Sequence, residues 1–234
     1  MKKIFVCLGI ALTVTMAKAQ SPTGTFSVTP RVGATFSNIT KESMGFDSSS
    51  ELLKGKTQVG FLAGAGMQYQ ISQVVAVSTG AYYQRMGCTY DDTDLSEAGP
   101  GDYTVYQHSH AYLDYLSVPV LAHLYVAKNF AIHAGVQASF LLNNSMRADI
   151  SNVTIGKDGS YTYNEVEELD EENKFIRKSD LSIPVGISYE YENVVIGINY
   201  QLGLSKIYKS PLDNGNKNKA IVFSAGYKFD IGSI

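Results

Sequence analysis

Eight stretches of this chain alternate apolar and polar residues with a period of two, and the links between them alternate short and long. Side chains along a strand point to opposite faces in turn, so the pattern predicts strands with one apolar face each. The stretches span about 26–37, 57–70, 74–86, 115–126, 130–143, 180–191, 194–205 and 220–231. The fourth, YLSVPVLAHLYV, sets Leu116, Val118, Val120, Ala122, Leu124 and Val126 against Tyr115, Ser117, Pro119, Leu121, His123 and Tyr125. Tight links fall near Ile71-Ser72-Gln73, Ala127-Lys128-Asn129 and Glu192-Asn193, whereas long polar segments join the other consecutive pairs. Short turns at one end and long loops at the other are the pattern of a transmembrane barrel, and each stretch is long enough for a crossing of about 9–11 residues.

Parity alone leaves open whether the apolar set faces lipid or the core of a soluble barrel such as a lipocalin. The chemistry of the second set separates them. A solvated surface carries roughly 25–35% charged residues, yet this set consists of Gly, Ser, Gln, Asn, His and Tyr, with Arg31, Glu190 and Lys228 almost its only charges. Such residues suit the filled interior of a narrow barrel. The other set carries Tyr69, Tyr83, Tyr189, Tyr200, Tyr227, Phe36, Phe130 and Phe229 mostly toward stretch ends, like the aromatic girdles of a membrane barrel. The expected fold is therefore all-β, an eight-stranded antiparallel up-and-down transmembrane barrel. Pro119 and Pro184 each remove a ladder hydrogen bond, and local bulges are expected there.

The chain opens MKKIFVCLGIALTVTMAKAQ, with two lysines, an apolar run from Ile4 to Met16 and the small-residue site Ala17-Lys18-Ala19. This is the layout of a signal peptide over 1–19, leaving 20–234 as the barrel domain. An apolar run of about 13 residues is shorter than the roughly 20 of a spanning helix. Cleavage removes Lys2, Lys3 and Lys18 and takes the formal charge from −3 to −6, which gives no support for a nucleic-acid partner. Cys7 leaves with the signal, so Cys88 has no partner for an internal disulfide.

The segments YLSVPVLAHLYV, FAIHAGVQASFLLN, DLSIPVGISYEY and SAGYKFDI resemble the PorT-type outer-membrane β-barrel domain of Bacteroidota. In that family a strand of the form Tyr-Leu-x-hydrophobic-Pro precedes a Gly-containing strand, and the last strand closes with Tyr-x-Phe. The resemblance covers nearly the whole mature chain and implies an eight-stranded barrel in the outer membrane of a Gram-negative bacterium. The family includes members tied to protein secretion, and its motifs carry no catalytic residue. Its members more often stop near the terminal aromatic, whereas this chain continues from Phe229 through Asp230 to Ile234.

Expected lumen residues that bear on function are Arg31, His123, His133, Gln137, Glu190, Asn199, Gln201 and Lys228, with Tyr82, Gln84, Tyr115 and Tyr125 filling the space. Arg31 and Lys228 lie on strands that become neighbours when the barrel closes, and Glu190 is the main anion expected to offset both. His123 and His133 have no nucleophile or carboxylate beside them by spacing, and Ser117 lies roughly 20 Å along the strand from His123. His108, His110 and Asp114, with Asp91, Asp92 and Asp94, could line a barrel rim as in an outer-membrane protease, but loops carry such residues as solvated surface. The acidic run NEVEELDEENK matches no calcium-loop spacing. Ahead of it, VTIGKDGSYTY predicts a hairpin turning at Lys157-Asp158-Gly159 that carries the fifth and sixth stretches beyond the membrane.

No catalytic, cofactor or metal residues are assigned. The expectation is a non-enzymatic cell-envelope protein contacting outer-membrane lipid and the barrel-insertion machinery. Its external loops meet an envelope partner, with a secretion-accessory role implied by the resemblance alone. A small porin or passive transport protein is the alternative, and a rim-located hydrolase the third.

Overall fold

The computed structural model describes residues 22–40, 43–44, 53–209 and 215–233; the segment expected to be a signal peptide lies outside them. The elements are β1 (Thr25–Ile39), β2 (Ser43–Met44), β3 (Leu53–Gln70), β4 (Val75–Tyr90), β5 (Gly101–Ala127), β6 (Phe130–Ile155), β7 (Tyr161–Glu171), β8 (Ser179–Tyr191), β9 (Val194–Gly203), β10 (Asn218–Tyr227) and β11 (Phe229–Ser233). Antiparallel neighbours follow one another around a ring that β1 closes by pairing β3 on one side and β10 on the other. At Arg31 the closure is explicit, since its backbone lies opposite Gly64 on β3 and Gly226 on β10. β10 and β11 form one barrel strand broken at Lys228, so the circumference is eight strands wide, as expected from the eight stretches. The tail past Tyr227 is no loose end, because Phe229 pairs Val28 and Ser233 pairs Thr25.

The apolar set faces outward. Val32, Val59, Val120, Val136, Val185 and Ile196 are each at least half exposed, whereas the alternate positions Thr35, Gln84, Ser117, Ser139 and Gln201 are buried. A wall of that composition is soluble only in lipid, because contiguous exposed apolar area on this scale is not tolerated in water. The tight turns lie at one end, where Asn129 takes a φ of 66°, a left-handed geometry that asparagine adopts at little cost.

Two expectations are corrected. Pro119 lies opposite Gln137 and Pro184 opposite Gln201 without a shift of register at either. Both prolines sit inward, and the ladder on the other side of each lacks only the proline's own pair and the next one. The register shifts instead at 57–62, 107–110, 114–115, 125–127, 151–153 and 26–27. The hairpin at Lys157-Asp158-Gly159 does extend the fifth stretch as β6, but its returning arm is the separate strand β7 and not the sixth stretch. β8 pairs β6 only up to Phe140 opposite Ser179, and β7 takes the place above it, up to Ile155 opposite Tyr161.

Inside, the ring is filled in two storeys. Toward the loops lies an apolar cluster of Ile39, Met86, Cys88, Leu113, Ile176, Ile207 and Val222, with Tyr115 below it. Ile176 and Tyr208 bridge the segments that follow β7 and β9, and Arg177 N–H donates to Ile207 O at 2.8 Å, so these segments fold over the mouth. Toward the turns the fill is polar. Between the storeys Tyr82 lies flat on β3 and its own strand because Gly64, Gly66 and Gly80 carry no side chain; a Cβ on Gly66 would stand 2.3 Å from the Tyr82 hydroxyl. Gly66→Ala should therefore cost about 1–3 kcal/mol by overpacking, and Tyr82→Phe in the same chain should recover part of it by removing the clashing oxygen. Urea titration of the folded band on unboiled gels checks this, and an unchanged midpoint for the single variant would contradict the cradle.

Candidate functional site

The polar storey is built by inward positions of strands all round the ring. Gln84 of β4 donates from Nε2 to Gln201 Oε1 of β9 at 2.8 Å, and Gln201 Nε2 donates to Gln137 Oε1 of β6 at 3.3 Å. Ser117 donates to Gln84 Oε1 at 3.2 Å and shares a 2.9 Å hydrogen bond with Ser139. Three glutamines so placed satisfy one another across the barrel axis, which removes the cost of burying unpaired amides. His133 Nε2 and Asn199 Oδ1 are 2.5 Å apart, and His123 Nε2 shares a 2.7 Å hydrogen bond with Ser78 Oγ. The two imidazoles sit opposite each other in the ladder with centroids 5.0 Å apart. No group of three or more His, Cys, Asp or Glu able to hold a metal occurs among the described residues.

At the turn end Lys228 Nζ donates to both carboxylate oxygens of Glu190, at 3.0 and 3.2 Å, and both side chains are buried. Lys228 sits where β10 gives way to β11, and its backbone N–H donates to Asn193 O in the β8–β9 turn. The pair thus ties the broken barrel strand to that turn. Arg31 does not share it, contrary to the expectation that Glu190 offsets both cations. Among the described residues no carboxylate lies within ion-pair distance of the Arg31 guanidinium, and its Nε is buried without a hydrogen-bond partner. Beside it is a cavity of about 60 Å³ lined by Arg31, Ser78, His123, Gln137, Asn199 and Ser224 among others. The eight polar residues singled out in the sequence are thus all brought to one storey of the lumen, linked in three groups with Arg31 apart from them. Gln84, Ser78 and Ser139, which complete the contacts, carried the same inward parity in the sequence.

The rim residues do not converge. Asp114 faces outward and takes a two-pronged ion pair from Arg85, with Nε to Oδ1 at 2.7 Å. The Arg85 guanidinium also lies 5.8 Å over the Phe61 ring and 5.3 Å over Tyr112. Asp114 therefore belongs to an outer collar and not to a set with the rim histidines; the signal was the outward parity of Arg85 two residues beyond Tyr83. His108 contacts Asp149 through Nδ1 at 2.8 Å, and Asp92 accepts its backbone N–H. His110 contacts Gln58 instead, at 3.1 Å. Partial burial, with the Arg147 guanidinium near, holds the His110 imidazole below its ordinary value.

Above the collar β5, β6 and β7 continue as a three-stranded sheet. β5 alone has 27 residues, about 90 Å at ~3.3 Å per residue, against the 9–11 that cross a bilayer. β7, YTYNEVEELDE, is exposed nearly throughout and has β6 as its one ladder partner among the described residues. Tyr161, Tyr163 and Val166 are 47%, 65% and 61% exposed, amid Glu165, Glu167, Glu168 and Glu171.

A closed antiparallel ring with an apolar outer wall and an occupied polar lumen defines an integral outer-membrane barrel. The sequence model of the outer membrane protein beta-barrel domain matches residues 18–209, and the chain belongs to that family. Its place is the outer membrane of a Gram-negative bacterium. Among solved structures it is similar to Ail, the attachment invasion locus protein of Yersinia pestis, solved with the heparin analogue sucrose octasulfate. That match has 16% identity and a TM-score of 0.43, and covers 88% of this chain and 99% of that one. Neisserial surface protein A matches at 17% identity and a TM-score of 0.39 over 91% of this chain and 100% of that one. OprG of Pseudomonas aeruginosa matches at 14% identity and a TM-score of 0.39 over 90% and 99%. No curated protein matches the chain.

Proposed function

We propose that this protein is a non-enzymatic, non-conducting barrel that holds a rigid external sheet in place to contact an envelope or surface partner. The observation that carries this is the continuation of β5, β6 and β7 far above the lipid belt, ending in an acidic strand with exposed Tyr161, Tyr163 and Val166. Aromatic residues exposed on a rigid scaffold are the usual anchors of protein recognition, and sheet extension costs ordering entropy that a solvated loop would not. Export by a cleaved signal over 1–19, assembly by the barrel-insertion machinery and a PorT-type, secretion-accessory role belong to the same proposal, the last on the resemblance of its strand motifs. Trimming the β6–β7 hairpin to a two-residue turn tests it. A deletion strain should show altered secreted or surface proteins, and the trimmed protein, though inserted, should fail to restore them. Full restoration would contradict the proposal.

Conductance separates this reading from a small porin. The apolar storey under the mouth and the cross-linked glutamines below it leave no continuous water column. Pure protein in planar bilayers at neutral pH should give no stable open channel, and reproducible single-channel steps would favour the porin.

A further inference from the structure

Arg31 sits in the polar storey as a cation that no carboxylate of the described residues contacts as an ion pair. Its strand neighbours on both sides present glycines, Gly64 and Gly226, and the next strand along presents Gly197, whose missing Cβ would lie 3.9 Å from the guanidinium. Gly226 makes room for this side chain, since a Cβ there would stand 2.6 Å from the Arg31 Cγ. Its Nε is buried and donates to nothing, and Glu190 is engaged through both oxygens by Lys228. Asp180, the other inward carboxylate, lies in the upper part of the lumen and accepts from Ser205 at 2.7 Å. A buried charge is tolerated when it is paired and its hydrogen-bonding capacity is met. The Arg31 Nε has neither a carboxylate partner nor a hydrogen-bond acceptor among the protein's own atoms.

We propose that the cavity beside Arg31 binds a small monovalent anion of the halide type, chloride under ordinary conditions. The space is about 60 Å³, several times what one ordered water needs, and the Arg31 and Ser224 side chains on its wall can donate to an anion, as can the Ser78 hydroxyl when His123 Nε2–H donates to its Oγ. The guanidinium supplies one positive charge, so a single charge balances it, whereas a divalent oxyanion would bury a second charge with no cation to meet it. Halides accept hydrogen bonds from any direction, which suits donors spread over three strands, β1, β4 and β10.

The test is refolding of the full mature chain in bromide, followed by crystallography at the bromine absorption edge. An anomalous peak in contact with the Arg31 guanidinium is expected. Water density there without a peak, or peaks confined to the outer surface, would overturn the proposal. A second measurement compares protein refolded in chloride, bromide or gluconate at one ionic strength. The two halides should give the higher melting temperature, since gluconate is too large for the cavity. Arg31→Met should abolish that difference. A halide effect that persists in Arg31→Met, or no halide effect in the unaltered chain, would overturn the proposal. The bromide crystal keeps the question decidable should the variant fail to fold.

Discussion

Lys228→Met is expected to destabilise the barrel by about 3–5 kcal/mol, the cost of leaving one buried charge without its partner. Glu190 is enclosed, and both of its oxygens accept from Lys228, so removing the ammonium strands a carboxylate where water cannot replace the lost donor. The loss is also mechanical, because the pair joins the break between β10 and β11 to the β8–β9 turn. Urea titration in detergent micelles, followed by the fraction of heat-modifiable band on gels, measures it. Glu190→Gln added to Lys228→Met should recover much of the stability, since a neutral amide costs far less to bury than an unpaired carboxylate. A single variant as stable as the parent would show that the pair is hydrated and contributes little.

Arginine at Val120 or Val185 should cost about 2–4 kcal/mol and impair membrane assembly, because both positions point from mid-strand into lipid. They are 55% and 51% exposed on the outer wall, flanked by Leu116, Leu124, Leu181 and Ile187 of the same face. Depth gives the internal control. Val126 lies on the same face beside the β5–β6 turn, where arginine reaches the headgroups and should cost only about 0–1 kcal/mol. Equal insertion of all three variants would contradict the lipid-facing assignment, and equal damage by all three would contradict the depth.

The lumen shows which parts of the site were legible in advance. Parity assigns Gln137, Asn199 and Gln201 to the interior, because a side chain on a strand has only two directions available. It cannot say which interior residues meet, since that depends on the stagger between strands. Lys228 reached Glu190 and Arg31 did not, a choice made by the registers of β10 and β11 against β1 and of β9 against β8 and β10, and by the break at Lys228. The bulges have the same origin: Pro119 and Pro184 mark lost hydrogen bonds in the sequence, yet the register holds through both because each breaks only two consecutive pairs on one side and the flanking pairs keep their register.

The upper storey was illegible for a different reason. Met86, Cys88 and Leu113 carry inward parity, but their role as a plug required Ile176 and Ile207 from two long connecting segments to fold over them, and no local periodicity marks such segments. What the chain determined by itself was whatever depends on neighbours along it: eight crossings, their two faces, their short turns and the choice of lipid for the apolar face. What only the tertiary structure decided was whatever depends on closure: the partner of each buried charge, the cavity beside Arg31, and the rise of β5, β6 and β7 above the membrane. Alternation is a property of one strand, whereas pairing across a barrel is set by the stagger of all eight, which no single segment encodes.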